Sequence, residues 1–131
     1  MIKLKGKIVH GLGIASTTIK QQSKYFEEKG IEHNFLINGS INVDIAPIEW
    51  EIIKPDFKFK NIVWRSNFSE DFNFIKIKFK FNNKVYPGLL YNPKKTKNPK
   101  TMIEILSKYI NEIEYGKEIE LIIPKEKIKL L

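Results

Sequence analysis

Between residues 74 and 81 the chain reads FIKIKFKF, its clearest alternation of apolar and charged positions. Successive strand side chains point to opposite faces, so Ile75, Ile77, Phe79 and Phe81 share one face and Lys76, Lys78 and Lys80 the other. Asn82-Asn83 follows, a dipeptide suited to a two-residue hairpin, and KVYPGLLYN returns as the partner strand. KLKGKIV, residues 3–9, alternates enough for a first strand. Further strands are read in FLINGSINVDIA, from about Phe57 to Arg65, in TMIEIL and in IELII, with IEWEII a short segment between Pro47 and Pro55. One main helix is expected from about Thr18 to Lys29. Thr18 and Gln21 have capping-box spacing, and Gly30 suits a left-handed stop. Its inward stripe is Ile19, Tyr25 and Phe26. SKYINEIEYGKE is read as containing a short helical turn.

Six to eight short strands, with one main α-helix after the first, predict a mainly β protein built as a small β-barrel. Too few helices are available to cross between parallel strands. The 131 residues suit one domain, 1–131, and a chain of this size buries roughly two thirds of its unfolded surface. No solenoid period and no low-complexity linker is visible.

Composition narrows the chemistry. There is no cysteine, which removes disulfides, zinc–thiolate sites and thiol nucleophiles. His10 and His33 are the only histidines, too few for a His-rich metal centre. The net charge is +8, yet Arg65 is the only arginine. Nucleic-acid readers lean on the planar arginine fork, so a diffuse lysine excess argues against a dedicated RNA or DNA binder; it fits a coding bias towards Lys, Ile and Asn at least as well, and it also helps attract phosphorylated ligands. No apolar run approaches the length of a membrane span, and the amino terminus lacks a signal-peptide pattern. The expectation is a soluble, cytoplasmic protein.

Three stretches can carry chemistry. HGLGIAST, residues 10–17, is a glycine loop whose backbone N–H groups could approach a phosphate. It also reads as a plain strand-to-helix turn; it is neither a P-loop nor a dinucleotide fingerprint. In LINGSINVDI, Ile41, Val43 and Ile45 face one way and Ser40, Asn42 and Asp44 the other. That row of hydroxyl, amide and carboxylate oxygens suits magnesium, or simply a strand face meeting water. The third is the loop NPKKTKNP with Glu104 beyond it. Glu104 shares a strand face with Met102 and Leu106. Partial burial there would raise its pKa and poise it as a base; alternatively it faces solvent on an edge strand.

In order and spacing these stretches resemble the archaeal-type CTP-dependent riboflavin kinase family. The family pattern G-x-V-x-S-G-L-G-E-G reads here G-K-I-V-H-G-L-G-I-A, residues 6–15. P-G-T-L-N reads N-G-S-I-N at 38–42, P-x-K-T reads P-K-K-T at 93–96, and I-I-E-I-I reads M-I-E-I-L at 102–106. Gly116-Lys117-Glu118-Ile119 stands in the place of the closing G-D-x-V. The resemblance spans nearly the whole chain.

It implies a small riboflavin-kinase-like barrel that moves the γ-phosphate of CTP to riboflavin, giving FMN and CDP with Mg²⁺. Gly11, Leu12, Gly13, Ile14, Ala15 and Ser16 would contact CTP, joined by Lys108, Tyr109, Ile110 and Asn111. Ser40 and Asn42 would hold the metal, Thr96 and Glu104 the flavin, with Glu104 as the catalytic residue. The chain departs from the family pattern at His10, Ile14, Ala15, Asn38 and Lys108, all on the nucleotide half. A non-catalytic flavin- or nucleotide-binding barrel is the second reading, and a basic RNA-binding barrel the third.

Overall fold

Asn82 and Asn83 both adopt positive φ, 50° and 63°, the geometry that lets a two-residue loop match the twist of the strands it joins. They link strands β5 (Phe68–Phe81) and β6 (Lys84–Pro93), which pair from Phe81↔Lys84 to Phe72↔Pro93. This hairpin is the longest ladder in the computed structural model. The structure describes residues 1–10, 23–65, 68–93 and 98–131.

The other strands are β1 (Ile2–Val9), β2 (Ser40–Asp44), β3 (Trp50–Ile52), β4 (Phe57–Arg65), β7 (Met102–Leu106), β8 (Glu118–Ile123) and β9 (Ile128–Leu130). The main sheet runs β4-β5-β6-β7-β2-β1-β8, and β8 also pairs with β5. That last pairing closes β5, β6, β7, β2, β1 and β8 into a six-stranded antiparallel barrel, with β4 as an extra strand on β5. β3 and β9 form a separate two-stranded ribbon. Closure leaves no free edges among the barrel strands. The fold is the mainly β barrel that the alternation predicts.

Two apolar clusters lie on the two faces of this sheet. The interior holds Leu4, Ile8, Val43, Ile45, Ile75, Ile77, Phe79, Leu90, Ile103, Ile105 and Leu121, all nearly inaccessible. The second cluster takes the opposite phase of the same strands: Phe72 and Phe74 of β5, Leu89 and Tyr91 of β6, Leu106 of β7, with Phe59 of β4. Phe26, from a helical stretch over residues 23–28, closes it from outside together with Phe35 and Leu36. Its ring centroid lies 4.9–5.6 Å from those of Phe59, Phe72 and Phe74. These are spacings at which aromatic pairs add to their area burial.

Several expectations change. β5 begins at Phe68 rather than near residue 74, because its first half pairs with β4 and turns Phe72 and Phe74 to the outer cluster. Of the helix expected from Thr18 to Lys29, residues 23–28 are helical and Gly30 ends the segment at φ 105°; Thr18, Ile19 and Gln21 lie outside the described residues. Tyr25 is exposed rather than inward. Phe26 fills the core, and Tyr25 packs edge-on against Phe26 and Phe59 from the rim. Residues 107–117 form turns without a helix, and β9 is an additional strand. No helix among the described residues is long and apolar enough to cross a membrane.

Asp56 fastens the ribbon side to the barrel. Its carboxylate accepts the backbone N–H of Lys76 at 2.7 Å and the Lys127 ammonium at 2.6 and 2.8 Å. Burial pushes its pKa up, but the Lys127 and Lys76 hydrogen bonds and charges outweigh burial and hold it below 3.8. The stabilisation is present in full above pH 3.8 and fades as pH falls below it. Asp56→Asn is expected to cost about 1–2 kcal/mol at neutral pH, with the difference from wild type closing in acid, read by urea titration at several pH values. Gly6 sets a second limit. A Cβ there would lie 2.6 Å from Val43 Cγ1 and 2.7 Å from the Asp44 carbonyl oxygen. Because part of that contact is backbone, Gly6→Ala is expected to lower the unfolding free energy by about 1–3 kcal/mol, seen as an earlier urea midpoint.

Candidate functional site

One row of side chains crosses five strands. Val9 of β1 pairs with Asn42 of β2, Asn42 with Glu104 of β7, Glu104 with Tyr91 of β6, and Tyr91 with Phe74 of β5. Directly opposed residues in antiparallel strands point to the same face, here the outer one. The Ser40-Asn42 ridge and Glu104 therefore meet, brought together from positions 62 residues apart for the Asn42–Glu104 pair. Val43 and Ile45 point inward, as the period-2 pattern requires. Asp44 does something else. Its carboxylate accepts the Ala46 N–H at 2.8 Å and so shapes the turn after β2. The alternate polar positions thus split into two that face Glu104 and one that caps a turn.

β1 runs out at Val9 beside Asn42. Gly11, Leu12, Gly13, Ile14, Ala15 and Ser16 themselves lie outside the described residues, as does Thr96. Asn38 donates through Nδ2 to the Ser107 carbonyl at 3.3 Å and to that of Asn34 at 3.2 Å. This ties the start of β2 to the turn at 108–111. There Lys108, Tyr109 and Asn111 are exposed, Lys108 lying 3.8 Å from Glu32, while Ile110 packs on the barrel interior.

Glu104 also borders a cleft of about 250 Å³. The cleft opens where β6 continues past its last partner on β7, Tyr91↔Glu104, leaving Asn92 without a β7 neighbour. Trp50 and Ile52 of β3 form one wall, Pro99 and Met102 another, and Asn73, Tyr91 and Asn92 the floor. The Trp50 indole N–H donates to the Met102 carbonyl at 3.1 Å, which fixes the ring. Ser40 and Asn42 are not among the lining residues; Glu104 alone belongs to both the ridge and the cleft.

Burial pushes the Glu104 carboxyl above its ordinary 4.5, against the Asn98 amide and the Ser40 hydroxyl, which favour the charged form. Asn98 Nδ2 donates to Oε1, whereas Oε2 is buried with no hydrogen-bond partner. A bare oxygen of this kind is ready to accept a proton or a donor from a bound molecule. The ridge supplies oxygen donors alone: the Ser40 hydroxyl, the Asn42 amide and, opposite, the Glu104 carboxylate. Hard oxygens with places left for water and phosphate suit magnesium. No cluster of three His, Cys, Asp or Glu stands among the described residues, so an ion here would depend on phosphate oxygens as much as on protein.

Trp50, Asn73 and Tyr91 go beyond the sequence expectations. A signal for Asn73 exists: it falls in phase with Ile75, Ile77 and Phe79, a polar residue on the apolar face. Trp50 carries no such mark, because its position depends on the β3–β9 pairing.

The raised Glu104 pKa has a sign. As pH rises through 4.5 the unfolded chain releases this proton before the folded one, so stability falls over that interval and stays reduced above it. Glu104→Gln, which keeps an acceptor for Asn98, is expected to be more stable than wild type at pH 7 and to lose that advantage in acid, measured by urea unfolding. A gap independent of pH would contradict the assignment. Among known proteins, no family model and no curated sequence matches this chain.

Proposed function

We propose that this barrel is a phosphotransferase that moves the γ-phosphate of CTP to the terminal ribityl hydroxyl of riboflavin. The observation that carries the reading is the pairing of Asn42 with Glu104. It joins an oxygen ridge fit for magnesium and phosphate to a buried carboxylate that also borders a ring-sized cleft. Supporting it, the β1 exit and the turn at 108–111 flank the same end of β2. The cleft is just below the usual range for drug-sized ligands, about 300 Å³ upward. It would take the flavin ring and leave the ribityl chain to run along Glu104 toward Ser40 and Asn42.

In this reading Ser40 and Asn42 would hold a magnesium ion, which would neutralise the charge that develops on the transferred phosphoryl group. Glu104 Oε2 accepts a hydrogen bond from the ribityl hydroxyl and takes its proton as that oxygen bonds to the γ-phosphorus. The bond from the γ-phosphorus to the bridging oxygen breaks, and CDP leaves with that electron pair. The raised pKa makes Glu104 a stronger base than an exposed glutamate while leaving it ionised above its own pKa. Glu104, shared by ridge and cleft, keeps the ribityl hydroxyl in line with the γ-phosphate.

The charge distribution bears on the RNA alternative. Lys5 of β1, Glu120 of β8 and Lys80 of β5 lie in one cross-strand row, and Lys7 pairs with Glu118. The next row, Lys3, Ile122 and Lys78, carries no acid, so this face has an excess of lysines partly offset by Glu118 and Glu120, and the salt dependence of heparin retention is what separates the RNA reading from the kinase.

The test is product formation. Protein, riboflavin, Mg²⁺ and CTP should yield FMN on chromatography, and ATP in place of CTP should not. Glu104→Gln should lose about 10²–10⁴ in kcat while still quenching flavin fluorescence. Asn42→Ala should lose magnesium-dependent turnover, and Ser40→Thr should retain it. Flavin quenching without FMN under any nucleotide would replace the enzyme by a binding barrel. Full turnover in Asn42→Ala at ordinary magnesium would remove the metal assignment.

A further inference from the structure

Two buried side-chain atoms among the described residues have no hydrogen-bond partner, Glu104 Oε2 and Asn73 Oδ1. Both border the same cleft. The mechanism above uses the first; nothing in it uses the second. Buried acceptors are normally satisfied, and one left bare is a cost the fold bears unless a ligand relieves it.

Asn73 of β5 lines the cleft, half-buried and paired with Asn92 of β6 one step from the end of that ladder. Its phase matches the interior residues Ile75 and Ile77, so a leucine or valine would be the ordinary occupant. A carboxamide there offers an acceptor and donors in one plane. The complementary shape is a cyclic imide edge, an N–H flanked by carbonyl oxygens. Flat or apolar wall is supplied by Trp50, with its N–H already engaged, and by Tyr91, Pro99 and Met102, while Asn92, Asn98 and Glu104 are the other polar residues bordering the cleft. Such walls grip the faces of a planar ring and say nothing about its edge. The edge is left to polar groups, and among them Asn73 Oδ1 is, apart from Glu104 Oε2, the buried atom without a partner among the described residues.

We propose that Asn73 is a specificity residue that recognises the imide edge of a planar heterocycle seated in this cleft. Resting on the reading above, that edge is the pyrimidinedione end of the flavin. The ring enters imide first, its carbonyl and N–H meeting the Asn73 amide, and the opposite, dimethylated end points outward. Rings of similar size without the imide N–H leave Asn73 bare and bind less well.

Fluorescence titration separates the possibilities. Three probes are used: riboflavin, riboflavin methylated at its imide nitrogen, and lumichrome, which keeps the imide ring and lacks the ribityl chain. Wild type should favour riboflavin over the methylated form by about tenfold or more. Asn73→Ala should lose most of that preference and weaken riboflavin about tenfold, while its unliganded melting temperature stays level or rises because a bare buried acceptor is gone. Asn73→Asp keeps the shape but loses the amide donor, and should weaken riboflavin at least as much. Unchanged affinity and preference in both variants would overturn the proposal and leave the kinase reading standing. Wild type that binds lumichrome through Asn73 but makes no FMN would sink the kinase reading and keep this one. Wild type that binds none of the probes would sink both.

Discussion

The site depends on the register of β2 against β7. A strand slipped by one residue turns every side chain to the other face. The present register is locked because Val43, Ile45, Ile103 and Ile105 are all taken into the barrel interior. Shifting either strand would push isoleucines outward and bring Asn42 or Glu104 into a dry core, where an ionised carboxylate is costly. The core therefore determines the chemistry outside it: burying one phase of each strand leaves Ser40, Asn42 and Glu104 in the other phase, facing one another.

The outer face would be an unusual home for a buried carboxylate if it were bare. It is not bare. The helical stretch at 23–28, Phe35 and Leu36 cover part of it, and the second apolar cluster extends to Leu106 and Tyr91, the neighbours of Glu104. The barrel thus has a core on each side of one sheet, and the carboxylate lies at the border of the outer one. That border position explains both halves of its behaviour: dry enough to raise its pKa, and close enough to the cleft to meet a ligand.

Much of this was legible along the chain. The hairpin at Asn82-Asn83, the interior phase of β5 and the facing of Ser40 and Asn42 away from Val43 all follow from the period of two. Adjacency did not. Nothing in the spacing of β2 and β7 says that they pair, since 62 residues separate Asn42 from Glu104; the resemblance between motifs linked them, not the pattern. β5 was read short because Phe72 and Phe74 serve a different core from Ile75 and Ile77, and a change of face looks like the end of a strand. Tyr25 was read as inward because helical periodicity cannot distinguish a residue at the edge of a cluster from one at its centre. Trp50 was invisible as a site residue because its place is set by a ribbon partner near residue 130.

That ribbon has a consequence of its own. β3 carries Trp50 but is only three residues long, held by β9 through Trp50↔Leu130, Glu51↔Lys129 and Ile52↔Ile128, with Leu131 donating its N–H to the Glu49 carbonyl at 2.8 Å. The indole wall is thus held from two sides, by the ribbon partner at 128–130 and by the Met102 carbonyl of β7. Ile128 itself is buried in the barrel core, but substitutions at 129–131 can widen or narrow the recess by shifting this wall, leaving the six-stranded ring untouched. Ligand preference in such a scaffold is free to drift through a few residues that never meet the ligand.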